Sequence, residues 1–270
     1  MSLPKVSILI PLYNHAQYIS KLLNSILEDE YENKEIIIIN DGSTDNSDEI
    51  VNKWMKVNTR IKINYKYREN KGLKKTLNEL ILLSTGKYII NIASDDYLIN
   101  NTILHRVKIL EKNPEKLMLV ADAIVVDNKN ELIYSSANFE FHKGKKENYY
   151  TDVDIKNEIL YNWAIVGPVY MVNKNIYNVI GFYDPDIYLE DWDYAVRCVA
   201  KNLILFYDEK VAAYRLHENN TIKNKNAAII FSESCIKTIE KHSFKFKLWD
   251  RIKLWNKSRR LKRKINKIKK

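Results

Sequence analysis

The sequence predicts an α/β protein, in which a mostly parallel sheet is flanked by helices and followed by a C-terminal helical extension. Three observations carry this. Short runs at 6–12, 35–40, 61–67 and 88–93 are rich in Ile, Val and Tyr and short enough for buried parallel strands. Between them lie segments whose apolar residues recur with a helical period, and strand–helix alternation of this kind builds right-handed crossovers between parallel strands. Finally, the composition changes abruptly near the end, where residues 245–270 hold 13 Lys or Arg against the single Asp250.

The first helix, 16–28, places Ile19, Leu22, Leu23 and Ile26 at i, i+3, i+4 and i+7. Segments 48–57 and 73–83 follow the same rhythm. After Asp127 the alternation loosens, with hairpin-like segments at 121–135, a strand at 166–172 and a helix at 191–202. In that last helix Trp192, Ala195, Val196 and Val199 form the apolar stripe. No internal repeat is present. The expected division is a main domain at 1–222, a helical extension at 223–244 and a basic amphipathic tail at 245–270.

With 270 residues and 46% apolar composition the chain can bury a full core, which excludes disorder of the whole. Cys198 and Cys235 lack the paired spacing of zinc or redox motifs, so a reducing, cytoplasmic setting is expected. The N-terminal run "VSILIPLYN" is broken by Pro11, and no stretch of about 18 apolar residues occurs, so neither a signal peptide nor a membrane span is expected. Subtracting residues 245–270 from the 44 basic and 34 acidic residues of the chain leaves 31 and 33. The net charge of +10 therefore belongs to the tail and is no sign of a nucleic-acid-binding body.

Two acidic clusters end strand-like runs. In "IIIINDGSTD" the isoleucines lead to Asp41, and ligands of open parallel sheets bind outside such strand ends. A carboxylate there accepts the imide N–H of a uracil ring, while Gly42 lets the backbone turn close to the base. The same residues also suit a turn followed by helix caps. In "NIASDDYL", Asp95 and Asp96 repel each other unless a cation relieves them, which makes the pair an expected site for Mn2+ or Mg2+ holding a diphosphate. A plain helix cap competes with this reading as well.

Together these stretches resemble the inverting nucleotide-sugar glycosyltransferases of family 2, which have the Rossmann-like GT-A fold. "VSILIPLYNHAQYISKLLNSI" is similar to the family's first strand and helix, "IIIINDGSTDNS" to its uridine loop and "GKYIINIASDDYL" to its metal-binding strand end. "GFYDPDIYLEDWDYAVRCVAKN" resembles the acceptor-side segment and "YRLHENNTI" the closing loop. The resemblance implies that Pro11 and Tyr13 border the uracil, Asp41 binds it, Asp95 faces the ribose or metal, and Asp96 ligates the divalent ion. It makes Asp191 the catalytic base, a carboxylate whose ionised form the helix N-terminus favours. His217 would approach the diphosphate or metal as a neutral imidazole, with Arg215 as an alternative phosphate contact. Trp163 and Glu190 fall on the acceptor side, with Asn162 and residues 167–170.

The pattern departs from the family at two places. Asn70, Gly72 and Asn78 match, but Leu77 stands where an arginine is customary, and Ala93 replaces an aspartate two positions before Asp95. The implied activity is transfer of a sugar from a nucleoside-diphosphate sugar, with UDP expected, to a saccharide or lipid-linked acceptor in bacterial surface-polysaccharide synthesis. A sugar-phosphate nucleotidyltransferase would need a basic glycine-rich loop that "PLYNHAQY" does not supply, and a non-catalytic nucleotide-binding protein is the remaining alternative. In the tail, a helix would align Leu254, Ser258, Leu261, Ile265 and Ile268 on one stripe, the pattern of a helix lying on an anionic membrane surface at the inner face of the cell membrane. A disordered end and a nucleic-acid-binding extension are its rivals, and no nucleic acid is expected as partner.

Overall fold

The computed structural model describes residues 3–99, 101–218 and 227–269. Its parallel half is built from β1 (Val6–Leu12), β2 (Lys34–Asp41), β3 (Lys62–Arg68) and β4 (Tyr88–Asn91), in the order β3-β2-β1-β4. The isoleucines at 36–39 of β2 and the apolar residues of β1 are buried because helices cover both faces of the sheet. Those helices are α1 (Ala16–Glu28), α2 (Ser47–Val57) and α3 (Leu73–Leu83). The stripe Ile19, Leu22, Leu23 and Ile26 of α1 is fully buried, and Trp54 of α2 donates through Nε1 to Asn24 Oδ1 at 2.7 Å, tying the two helices. As the sheet edge, β3 alternates half-buried and exposed residues and carries Lys62 and Lys66, charges of the kind that block edge-to-edge pairing.

Beyond β4 the sheet becomes mixed. A two-residue β5 (Tyr97–Leu98) and α4 (Ile103–Lys112) precede the long β6 (Met118–Val126), with which β7 (Leu132–Tyr134) forms the expected hairpin. α5 (Asp152–Tyr161) follows, then β8 (Tyr170–Asn173), a strand shorter than expected because residues 167–169 form a single 3-10 turn around Pro168. α6 (Ile176–Ile180), α7 (Glu190–Val199) and β9 (Ile204–Arg215) complete the domain. β8 runs antiparallel to both β4 and β6, and β9 runs parallel to β6. Two antiparallel steps restore direction, so the carboxyl end of β9 lies on the same sheet edge as those of β1, β2 and β4. The site forms at that edge.

α8 (Ala227–His242) and α9 (Leu248–Ile268) pack onto the domain. Buried Asp193 of α7 accepts from Arg197 Nε at 2.9 Å and pairs with His242 of α8 at 3.0 Å. From α9, Asp250 accepts from Lys156 at 2.7 Å and Tyr161 at 3.1 Å, and Lys257 donates to the Leu160 carbonyl at 2.8 Å. The tail stripe therefore does not face outward: Leu254, Ser258 and Ile265 are buried against the protein and Leu261 is half-buried, leaving only Ile268 exposed. The expected boundary at residue 222, and the end of the closing-loop segment from Asn219, lie outside the described residues.

Candidate active site

A continuous cleft runs along the carboxyl edge of the sheet, where the chain leaves β1 toward β2 on one side and later returns as β4 on the other. Its nucleotide-sized part, ≈ 390 Å³, is lined by Pro11, Tyr13, His15, Asp41, Asn70, Gly72 and Asp95, among others. A smaller hollow of ≈ 110 Å³ shares Pro11, Leu73 and Ala93 with it and reaches Tyr170, Tyr183, Glu190 and Asp191. A third, ≈ 430 Å³, joins Asp95 and Asp96 to Gly167, Glu190 and Asp191. The four expected nucleotide-side residues thus line one hollow, and the expected base opens onto the two beside it.

Asp41 stands at the end of β2, and its carboxylate holds the loop before α3. Oδ1 accepts from Lys71 N at 2.8 Å and Oδ2 from Gly72 N at 2.9 Å, and Arg68 forms an ion pair with it. With a second lone pair, Oδ2 retains acceptor capacity toward the hollow. Gly42 sits at φ 76 and packs so close to this loop that a Cβ would lie 2.8 Å from Asn70 N, so glycine is required on both counts. Arg68 also reaches Thr76 at 2.8 Å and Glu79 at 3.2 Å. The cation beside Asp41 therefore comes from β3, while Leu77 is buried and lines the apolar hollow.

The second carboxylate pair sits just beyond β4. Asp95 Oδ2 meets His217 Nε2 at 2.8 Å, and His15 Nδ1 lies 2.8 Å from Ser94 Oγ and 3.8 Å from Asp95 Oδ1. Burial raises the Asp95 carboxyl pKa, but the His217 hydrogen bond and the two nearby imidazoles outweigh that and hold it below the ordinary range. Asp96 is pushed well above its ordinary value by burial and then by the Asp95 charge, although its Oδ1 accepts from Arg215 N at 2.9 Å. The expected repulsion between neighbours is thus expressed as a split, with one carboxyl held low and the other pushed high.

Among the described residues, the ligand atoms that come together are those of His15, Asp95 and His217, all within 4.8 Å of one another. Two imidazoles and a carboxylate suit a divalent transition cation, so the residues fit the metal that the resemblance implies. Asp96 is adjacent but is not in that trio. Arg215 is corrected as a phosphate contact: it is buried, with Nε bonded to the Asp95 carbonyl at 2.7 Å, Nη1 to the Asp127 carbonyl at 2.7 Å and Nη2 to Asn130 at 2.8 Å. Its guanidinium lies 4.7 Å over the Tyr18 ring, which in turn flanks both histidines.

Asp191 occupies the first turn of α7, and Glu190 opens the helix. Burial raises Asp191 to about 6, against the opposing hydrogen bond from Trp192 N at 2.7 Å. Glu190 is pushed to about 8 by burial and then by Asp191. Both ends of the preceding loop are anchored. Asn78 of α3 bonds reciprocally to the Tyr183 backbone at 2.9 Å, and Ser234 of α8 receives Leu189 N at 2.8 Å. Trp163, placed on the acceptor side by the resemblance, does not line these hollows; it is half-buried against the core at φ 47.

Residues 7–171 match the model of Glycosyl transferase family 2. The chain belongs to that family. An uncharacterized glycosyltransferase of Rickettsia typhi is 30% identical to this family 2 chain over 220 residues, covering 81% of the chain and 66% of the relative. The chain thus spans about two thirds of that relative's length. Among solved structures, a mannosyltransferase from Pyrobaculum calidifontis in complex with GDP-Man and Mn2+ superposes with a TM-score of 0.69 at 16% identity, over 92% of this chain and 66% of that one. Residues 1–349 of S. aureus TarS in complex with UDP-GlcNAc give 0.63 at 18% identity, over 93% and 79%. At these identities the likeness establishes the GT-A fold, a mostly parallel sheet flanked by helices.

Three residues in or beside this cleft of the family 2 chain were not singled out from sequence: His15, Arg68 and Tyr183. His15 was open to the same rule that selected Asp41, since it follows β1 at the carboxyl edge. Arg68 carried no such signal, because its partner Asp41 is 27 positions away.

Proposed function

We infer that the chain transfers a sugar from a nucleoside-diphosphate sugar, UDP being the expected nucleotide, to a hydroxyl of a saccharide or lipid-linked acceptor with inversion. One observation carries this reading: Asp191 opens onto a hollow that it shares with Asp95 and Asp96, so a base and a diphosphate site face one volume. In a single displacement the acceptor hydroxyl passes its proton to an Asp191 carboxylate oxygen as its oxygen bonds to the anomeric carbon and the nucleoside diphosphate departs. With its carboxyl raised to about 6, Asp191 is ionised at neutral pH and a stronger base than an exposed aspartate. Glu190, beside it and raised further, faces the acceptor side.

Pro11 and Tyr13 would border the base ring and Asp41 would accept its imide N–H, consistent with their common lining of the larger hollow. Asp95 and His217, with His15 and Asp96, would hold Mn2+ or Mg2+, which when bound neutralises charge developing on the leaving diphosphate. On this reading the chemistry lies in residues 1–222, followed by a helical extension at 223–244 and a basic tail at 245–270. Two free cysteines, one buried and one half-buried, support a cytoplasmic setting, and surface-polysaccharide assembly is the process this reading suggests. No described helix is long and apolar enough to cross a membrane.

The test is a screen of nucleotide sugars for turnover with Mn2+, with Mg2+ and with chelator. Hydrolysis or transfer of at least one uridine or guanosine diphosphate sugar is expected. Nucleotide binding with no turnover of any donor, with or without saccharide acceptors, would leave only a binding protein.

A further inference from the structure

The outward side of α9 differs in kind from the stripe that packs on the protein. Along its first two turns the exposed residues are Leu248 at 64%, Trp249 at 75%, Ile252 at 40% and Trp255 at 58%. Phe244, in the turn just before α9, is 66% exposed as well. Along the remaining turns the same side carries Arg259, Arg260, Arg263 and Lys267, all exposed. Large aromatic and aliphatic side chains on a soluble surface cost free energy unless something covers them, and the four on one side of α9 mark an interaction surface.

We propose that this face docks the protein on an anionic lipid bilayer, Leu248, Trp249, Ile252 and Trp255 entering the headgroup boundary while the arginines lie over phosphates. Charge complementarity selects this occupant. From Leu248 to Ile268 the helix has nine basic residues, and its single carboxylate, Asp250, is turned inward onto Lys156 and Tyr161. Indole rings settle at the headgroup level, and Arg259, 4.6 Å over the Trp255 ring, brings a cation to that depth. Leu248 and Ile252 have no stacking or hydrogen-bonding use on a nucleic acid, whereas a bilayer interface accepts them. The buried stripe stays on the protein throughout, so docking needs no rearrangement of α9. The inference does not depend on the transfer chemistry.

The experiment is sedimentation of the full chain with vesicles of phosphatidylcholine alone and of phosphatidylcholine mixed with phosphatidylglycerol, at low and high salt, with tryptophan fluorescence as a second readout. Binding to the anionic vesicles only, weakened by salt and accompanied by a blue shift, is expected. Trp249→Ala with Trp255→Ala should lose the blue shift and at least about tenfold in affinity, and Arg260→Glu with Arg263→Glu about fivefold per charge removed. These side chains are exposed, so the variants should keep the parental circular dichroism. Equal vesicle binding by the tryptophan variant would overturn the proposal. So would RNA capture without vesicle binding, or a concentration-dependent dimer abolished by the same variant.

Discussion

Asp95–Asp96 and Glu190–Asp191 are both adjacent carboxylates opening onto one cleft, yet their surroundings treat them in opposite ways. The first pair is met by His217 and His15 and by the backbone N–H of Arg215, and it splits into a carboxyl held low and one held high. The second has no imidazole or guanidinium partner among the described hydrogen bonds, and burial raises both of its members. A pair surrounded by nitrogen ligands is suited to hold charge on a cation, and a desolvated pair at a helix start is suited to take a proton. Sequence alone presents the two as the same dipeptide pattern; the difference lies in what folds against them.

The largest expected effect breaks the second pair. Asp191→Asn keeps shape and helix position but removes the proton acceptor, so turnover should fall by roughly 10² to 10⁴ with little change in donor affinity. A rate within a few-fold of the parent would reduce Asp191 to a helix-start residue. The first pair is sharpened by His217→Ala and His15→Ala, each expected to lower Mn2+ affinity by about 10- to 100-fold in a titration followed by electron paramagnetic resonance. Because imidazole favours transition cations, Mg2+ affinity should change less than Mn2+ affinity. Equal losses for both ions would remove the histidines from the ligand set.

Asp41→Asn tests the neighbouring nucleotide hollow. It leaves Lys71 N, Gly72 N and Arg68 facing a neutral amide, and should weaken uridine nucleotide binding by roughly tenfold, the scale of a charged hydrogen bond. Calorimetry with UDP reads this, and an unchanged affinity would confine Asp41 to holding the loop.

The smallest effect is thermodynamic. The folded Glu190 carboxyl, raised from 4.5 to about 8, favours the protonated form, so folding stability falls as pH rises from the unfolded value through the folded one. Glu190→Gln lacks that penalty. Its Tm advantage over the parent should grow between pH 5 and 8 and then level off, reaching a few degrees, about 2–4 °C per kcal/mol for a chain of this size. A constant difference across that range would place Glu190 in water.

Much of this architecture was legible because the centres of β1, β2 and β4 are buried on both faces and carry unbroken apolar runs, 8–10, 36–39 and 89–90. β9 was not, since Asp208, Glu209 and Lys210 interrupt its apolar residues and its pairing with β6 shifts register between Val120 and Ala123. Asp41, Asp95, Asp96 and Asp191 could be picked out because each lies at or just past a strand end or in the first turn of a helix, positions that local pattern reveals. For Trp163 the sequence leaves packing and binding open, because an aromatic ring looks alike in either role. In the tail, α9 has two apolar faces, and the regular stripe through Leu254 and Ile265 is the one the protein itself covers, which leaves Trp249 and Trp255 exposed on the other.

The most direct test of the division of labour is calorimetry of UDP binding with Mn2+ and with chelator, on the parent, Asp191→Asn and Asp95→Asn. The parent and Asp191→Asn should bind alike and tighten by the same factor when Mn2+ is present, while Asp95→Asn should lose that metal dependence. If Asp191→Asn lost it as well, or Asp95→Asn kept it, the two carboxylate pairs would not have the separate roles assigned to them.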